Sequence, residues 1–370
     1  MILRGRAKRF AINALFLGMA KKQNRLKFTH LLTVAGALFG VIIIFSRSTP
    51  LSEWYMRHIY PAVATVLSML SGLFPFSLYD LFIMAASLYL IKLILFVIIR
   101  KSGFKKFLYS LVRFATILVT WFYFAWGISY FREDFYAKSD LQETPFGAEN
   151  LKNFAVRFIA DANNAFVDFD IVDKESVREE IERSYLSLHR KLGIAYPNGK
   201  RRAKPMMFES LYSKMGVSGY FGPFFNEIHV NDYSLNFTYP FTLAHEMAHQ
   251  FGIATESEAN LYAFIVCVGS EDERIRYSAY VSTLLYLMND AAYFLPDEVE
   301  SLTSAIRTEI IADLRRNREH WLVVRNKSLS EVQDRAYDAY LKTNKVSSGR
   351  ENYSEVVGLL ISSYDIYIKK

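Results

Sequence analysis

Long uninterrupted apolar runs occupy much of the first third of the chain. Residues 28–46, 78–99 and 108–131 are each long enough to cross a bilayer as a helix, and few charges interrupt them. Tryptophan and tyrosine residues near the end of the third run are typical of a membrane interface. The pattern therefore predicts a membrane region at 28–131 with three transmembrane helices.

The stretch 59–76 is also apolar, but its pattern is interrupted. It contains Pro61, Gly72 and Pro75 together with several serines and threonines. Proline ends or kinks a helix, so this stretch is predicted to be a helix at the membrane surface. If it crossed the bilayer instead, everything after it would lie on the opposite side.

Beyond the third run the pattern becomes that of a soluble domain. Residues 132–150 are polar and contain a proline and a glycine, which predicts a linker, and 151–370 is the predicted folded domain. The alternating FNEIHV at 225–230 predicts a short strand. Apolar residues recur with helical spacing in 150–163, 174–192, 271–289, 296–315, 329–343 and 353–368. The fold class is therefore predicted as α+β, mainly helical.

Charge is arranged around the apolar runs. The net charge is +7, and much of the excess lies in residues 1–27 and in the loop RKSGFKK at 100–106. Positively charged loops tend to stay in the cytoplasm. This places the basic N-terminus and the 100–106 loop in the cytoplasm and the folded domain outside it, and it makes the lipid bilayer the predicted partner of the basic residues.

Several classes of function have no support in the composition. No glycine-rich phosphate loop, no GxSxG nucleophile motif and no nucleic-acid motif is present, so no nucleic-acid partner is predicted. Cys267 is the one cysteine, which excludes an intramolecular disulfide and a metal site made of paired cysteines.

The segment LAHEMAHQFG carries the candidate chemistry. His245 and His249 are four residues apart, so on a helix they lie on one face and can bind one metal ion. Glu246 lies beside them and can handle a water proton. The apolar flanks indicate a buried helix, where unpaired polar groups are unfavourable. Gly252 predicts the end of this helix.

A third protein ligand is expected, because a catalytic zinc site has three and keeps one position open for water. The next apolar segment, ESEANLYAFIVCV, begins with Glu256 and Glu258. Either carboxylate could turn back towards the histidines, and the residues alone leave both open.

The combination of HExxH with a following ExxAN resembles the gluzincin-type metallopeptidases. That resemblance implies Glu256 as the zinc ligand, with Ala259 and Asn260 at the matching later positions, and Asn260 in the role of orienting a ligand histidine. The short gap between His249 and Glu256 departs from the gluzincin pattern, which keeps Glu258 as the alternative.

A broader resemblance covers most of the chain. The three apolar runs, GYFGPFFNEIHVN, HEMAHQFGIATESEAN and the late YDAYLKTNKV together resemble an uncharacterised family of bacterial membrane-anchored zincin-like proteins, a domain of unknown function. The resemblance implies a zincin-like fold for 151–370, a presumed peptidase activity and the bacterial cytoplasmic (inner) membrane. It implies no substrate.

The predicted function is therefore a membrane-anchored zinc metallopeptidase that hydrolyses a peptide or protein. Zn²⁺ is the predicted cofactor and Glu246 the general base. A zincin-like fold further implies a strand that pairs with extended substrate, for which the candidates are Glu227, Ile228, His229 and Val230. A donor to the transition state is also expected, with candidates Tyr220, Tyr239, Arg276 and Tyr280, and His229 as a further possibility.

Two other functions fit the same residues. The first is a catalytically silent zinc-binding protein that binds peptides or acts as a membrane sensor. The second is a structural membrane protein in which HExxH occurs by chance. An intact Glu246 argues against the first, and a measurement of metal content distinguishes the second from both others.

Overall fold

The computed structural model describes residues 28–101, 103–169, 172–195, 201–348 and 355–368. The predicted basic N-terminus, 1–27, lies outside these residues. The fold is mainly helical with a small mixed sheet and N-terminal apolar helices.

The elements follow one another closely along the chain. The first is α1, Phe28–Arg47. Then come α2 Thr49–His58, α3 Tyr60–Ser71, α4 Leu78–Ile98, α5 Phe104–Ala125, a 3₁₀ helix Gly127–Phe131, α6 Phe135–Ser139, α7 Ala148–Ala165, α8 Lys174–Leu188, β1 Ala203–Lys204, α9 Glu209–Met215, β2 Gly219–Gly222, β3 Glu227–Val230, α10 Tyr239–Gln250, α11 Glu256–Val268, α12 Glu273–Phe294, α13 Val299–Ala305, α14 Thr308–Val324, α15 Lys327–Thr343 and α16 Val356–Tyr367.

The chain divides into two compact units. Within the described residues, the first unit consists of 28–47 and Met84–Phe124. It contains α1, most of α4 and α5, which are long and apolar enough to cross a membrane. The second unit consists of Ser48–Ile83 and the chain from Ala125 onwards. Membrane association is thus supported by three apolar helices, as the sequence predicts.

The ends of the predicted membrane region differ from the structure. The third predicted span, 108–131, corresponds to α5, which ends at Ala125. Trp126 and the 3₁₀ helix after it are buried in the second unit. Their apolar side chains contribute to a protein core, which a hydropathy pattern cannot distinguish from a membrane-facing surface. The 59–76 stretch contains α3, too short to be a candidate span, and it also belongs to the second unit.

The predicted linker at 132–150 is also part of the second unit. It contains α6, whose Phe135 is 1% exposed, and it leads directly into α7. Asp134 caps α6 by accepting a hydrogen bond from the backbone N–H of Ala137 at 2.9 Å.

Helix α11 lies at the centre of the second unit. Its residues from Glu256 to Cys267 are all buried, as expected for a helix that is apolar on every side. It packs against α8, α10, α12 and α16. The start of α11, which carries the acidic residues, is therefore held in place next to α10.

Most other predicted helices are confirmed within a few residues, among them α7, α8, α12 and α15. The helix predicted at 296–315 is instead two helices, α13 and α14, because Ile306 and Arg307 adopt extended backbone angles between them. The helix predicted at 353–368 corresponds to α16, and its first residues lie outside the described ranges.

The small sheet has the order β1–β3–β2. β1 pairs with β3 in parallel, and β2 pairs with β3 antiparallel from Gly219 opposite Val230 to Gly222 opposite Glu227. β3 is therefore the central strand. Both β2 and β3 pack against α10.

Candidate metal centre

Helix α10 positions the two histidines. Pro240 lies in its first turn, where the missing N–H of proline is tolerated, and the helix is buried along most of its length. It ends before Gly252, whose φ of +84° reverses the chain. This confirms the helix end predicted at Gly252, because glycine adopts this conformation without strain.

Three ligand atoms converge between α10 and the start of α11. Nε2 of His245 lies 3.1 Å from Nε2 of His249. Oε2 of Glu256 lies 3.0 Å from the first of these nitrogens and 3.4 Å from the second. Ligands bound tetrahedrally to zinc at about 2.0–2.1 Å are separated by roughly 3.3 Å. The three separations therefore match the face of a zinc tetrahedron.

Hydrogen bonds orient both imidazoles. Nδ1 of His245 lies 2.8 Å from Oδ1 of Asn260, and Nδ1 of His249 lies 2.7 Å from the carbonyl oxygen of Ile253. Each acceptor calls for a proton on Nδ1, which turns Nε2, the nitrogen available to a metal ion, into the cluster. Asn260 thus occupies the position that suits its predicted role.

Charge within the cluster favours a cation. Burial alone would lower the pKa of His249, but the carboxylate of Glu256 outweighs it and raises this pKa to about 9. Burial of Glu256 is likewise outweighed, because the two imidazoles hold the pKa of its carboxyl well below the usual range. Two nitrogens and one carboxylate oxygen are also the donor set of a common type of catalytic zinc site. The residues present therefore fit a bound zinc ion.

Glu258, the alternative third ligand, points elsewhere. Its Oε2 forms an ion pair with Nζ of Lys138 at 2.8 Å, and both side chains are buried. The geometry therefore favours Glu256 over Glu258 as the carboxylate of the cluster.

Glu246 is buried next to the cluster. Burial raises the pKa of its carboxyl to about 7, and Oε2 has no hydrogen-bond partner among the described residues. The side chain packs against β2: a Cβ built on Gly219 would lie 2.5 Å from Oε1 of Glu246. Sequence reasoning missed Gly219, and its only signal was a glycine in the strand that precedes FNEIHV.

The predicted substrate strand lies at the centre of the sheet. Glu227 to Val230 form β3, whose two sides pair with β1 and β2. A strand between two partners has no free edge for a peptide. Within the described part of the sheet, the free edge beside α10 is that of β2.

The predicted transition-state donors have other contacts. Among the described contacts, none of their polar groups reaches the cluster. The hydroxyl of Tyr220 donates to Asp80 at 2.7 Å, and Lys174 lies 5.1 Å above the ring of Tyr239. Arg276 donates to the carbonyl of Ser270 at 2.9 Å. The hydroxyl of Tyr280 lies 3.1 Å from that of Tyr364, and Nε2 of His229 lies 2.9 Å from Oγ of Ser77.

A different tyrosine, Tyr337 of α15, hydrogen-bonds to Oε1 of Glu256. It lies in the YDAY segment that the sequence analysis used only for family resemblance.

Segments predicted to lie in the membrane region brace the end of α10. The indole Nε1 of Trp126 donates to the carbonyl of His249 at 2.7 Å, and the hydroxyl of Tyr60 donates to the carbonyl of Gln250 at 2.7 Å. Both carbonyls lie in the last turn of the helix, where the regular helical hydrogen bonds stop, and that of His249 also accepts from the backbone N–H of Gly252 at 2.9 Å. Nothing in the sequence pattern indicates these contacts, because each joins residues more than a hundred positions apart.

Comparison with known proteins yields a family. No curated protein and no solved structure matches the chain. The zincin-like resemblance therefore stays a prediction. Residues 55–361 match the family described as "Protein of unknown function (DUF3810)", and because this match covers well over half of the chain, the protein belongs to that family.

Proposed function

We propose that this protein is a zinc-dependent peptidase anchored in a membrane, with a zincin-like domain built around α10 and α11. One observation carries the proposal: His245, His249 and Glu256 present three ligand atoms at 3.0–3.4 Å from one another. Each histidine is fixed through its other nitrogen, which is typical of zinc ligands.

Glu246 is the proposed general base. Its carboxyl is buried beside the ligand cluster, and a carboxylate in this position can accept a proton from water and release it again. It takes a proton from the attacking water and delivers it to the leaving amine as the peptide bond breaks. A zinc ion bound at this site would polarise the scissile carbonyl and lower the pKa of the water.

Peptide substrates fit the surroundings of the site. β2 passes directly beside Glu246, as the close approach of Gly219 demonstrates. Its free edge can pair with an extended peptide by main-chain hydrogen bonds. Such pairing would bring a peptide bond towards the base and the ligand cluster, so a polypeptide is the proposed substrate class.

The test compares metal content and cleavage in three forms of the purified protein in detergent: wild type, Glu246→Gln and, as a matched control, the exposed Glu273→Gln. A fluorescent unfolded casein serves as substrate. We expect about one zinc ion per chain in all three forms. Cleavage should be lost in Glu246→Gln alone, because the amide cannot accept the proton.

Each other result has a distinct meaning. Absence of bound metal in the wild type would contradict the proposal, and so would full cleavage by Glu246→Gln. Zinc binding with peptide binding but no turnover in the wild type would favour the silent peptide-binding or sensor function.

We further propose that the second unit lies outside the cytoplasm of a bacterial cell. One candidate span, α5, separates the basic residues of the 100–106 loop from the residues after Ala125. Positive charge favours the cytoplasmic side for the loop. An impermeant thiol reagent should label Arg318→Cys on intact spheroplasts and Lys101→Cys only after lysis. The buried Cys267 adds little background, and the reverse labelling would refute this orientation.

A further inference from the structure

We propose that Tyr337 is a positioning residue that determines which oxygen of Glu256 faces the metal site. The inference rests on the proposed zinc function and adds to it a residue outside the HExxH and ExEAN segments. Tyr337 lies on α15, about eighty residues after the carboxylate that it contacts.

The two oxygens of Glu256 have different surroundings. Oε1 accepts a hydrogen bond from the hydroxyl of Tyr337. Oε2 faces the imidazoles, at 3.0 Å from Nε2 of His245 and 3.4 Å from Nε2 of His249. A carboxylate held in this way offers one oxygen rather than two. Binding through a single oxygen leaves the fourth position of a tetrahedral site open for water.

The ring of Tyr337 is itself supported. It is partly buried and stacks on Tyr340, with ring centroids 5.8 Å apart and planes inclined by 23°. The hydroxyl of Tyr340 accepts a hydrogen bond from Tyr130 at 3.2 Å. Tyr130 belongs to the 3₁₀ helix whose neighbour Trp126 contacts the backbone of His249. The tyrosine pair therefore connects α15 with the segment that braces the histidine helix.

Removing the Tyr337 hydroxyl should change the metal site more than the fold. Without this donor, Oε1 is free to rotate towards the metal site, and Glu256 can bind through both oxygens. Loss of a hydrogen-bonding partner of a ligand typically weakens metal binding about 10–100-fold. Coordination through both oxygens would also occupy the position intended for water, so cleavage should fall as well.

The experiment uses Tyr337→Phe in the full chain, with Tyr293→Phe, at an exposed position of α12, as the matched control. Zinc affinity is measured by competition with a chelator. Cobalt(II) is then added to the metal-free protein, because its visible absorption is strong in four-coordinate sites and weaker in five-coordinate ones. We expect Tyr337→Phe to bind zinc about 10–100-fold more weakly and to show weaker cobalt absorption. Tyr293→Phe should match the wild type in both.

The outcomes separate this inference from the proposed function. If the wild type binds zinc and Tyr337→Phe matches it in affinity and spectrum, the inference fails and the proposed function stands. A lower melting temperature of metal-free Tyr337→Phe with an unchanged cobalt spectrum would mean a purely structural role and would also overturn it. A wild type that binds no metal overturns both.

Discussion

The contact between Gly219 and Glu246 provides a direct test of where the proposed general base lies. A Cβ at position 219 would lie 2.5 Å from Oε1 and 3.0 Å from Cγ of Glu246, and 3.0 Å from the carbonyl oxygen of His229. An ordinary contact begins near 3.4 Å, so in Gly219→Ala the carboxylate must move by about 0.9 Å. β2 cannot easily retreat, because it is paired with β3 along its length.

Two magnitudes follow from this displacement. Misplacing a catalytic group by about 1 Å can lower the rate about 100-fold. Inserting a methyl group into a packed interior typically destabilises a protein by about 1–3 kcal/mol. Since Gly219→Ala alters no proposed ligand, we expect zinc binding to remain while cleavage falls about 100-fold.

The assay combines cleavage rates with a double-mutant cycle on thermal unfolding. Glu246→Ala removes the atoms that the new methyl group would meet, so Gly219→Ala should be less destabilising in that background, by about 1 kcal/mol or more. Gly147→Ala is the control, because no atom lies within 4 Å of its Cβ position. Equal destabilisation in both backgrounds, or cleavage by Gly219→Ala within about threefold of wild type, would refute the contact.

The remaining predictions concern three other carboxylates and their partners. Glu256→Gln should weaken zinc binding by more than the roughly 10–100-fold that is typical when a hydrogen-bonding partner of a ligand is lost. Glu258→Gln should keep zinc but lower the melting temperature, because it leaves Lys138 buried without its ion-pair partner. Chelator competition and thermal unfolding check both variants, and the opposite pattern would make Glu258 the ligand. Burial of Glu53 opposes its ionisation, but the hydrogen bonds and charge of Arg132 outweigh burial and lower its pKa to about 2. Because the pKa of Glu53 is lower in the folded than in the unfolded protein, the ionised carboxylate stabilises the fold above about pH 4.5, and this stabilisation is lost as the pH falls towards 2. The loss in the free energy of unfolding is at most about 3 kcal/mol, and about half of that after solvent screening. The stability of Glu53→Gln should therefore fall less steeply between pH 5 and pH 2 than that of wild type, and parallel curves would exclude Glu53 as the responsible group.

The features that the sequence predicted well depend on neighbours along the chain. His245 and His249 share a helix face because they are four residues apart, and Gly252 ends the helix because of its own backbone freedom. Glu256 follows a few residues later at the start of α11. The apolar runs likewise indicate α1, α4 and α5 by length alone. Local spacing was sufficient for each of these predictions.

The features that escaped prediction depend on contacts between distant segments. The FNEIHV pattern predicts a strand, but whether it is central or at an edge depends on β1 and β2, which lie before it. Gly219 is required by a side chain on α10, and Tyr337 reaches Glu256 from α15. Tyrosine is so common in this chain, with 24 residues, that composition could not single out the one beside the cluster.

The end of α10 explains why the domain boundary predicted at 150 does not isolate the site. Besides the contacts of Trp126 and Tyr60, Arg132 donates to the carbonyl of Gly252 at 3.2 Å. All three donors precede residue 150, and their acceptors lie within four residues around His249. A buried carbonyl that loses its partner is destabilising by about 1–3 kcal/mol, and a whole domain is stable by only about 5–15 kcal/mol. A fragment limited to 151–370 would therefore contain every proposed zinc ligand but lack the contacts that hold the histidine helix against Glu256. The segments that carry Tyr60, Trp126 and Arg132 are thus part of the site.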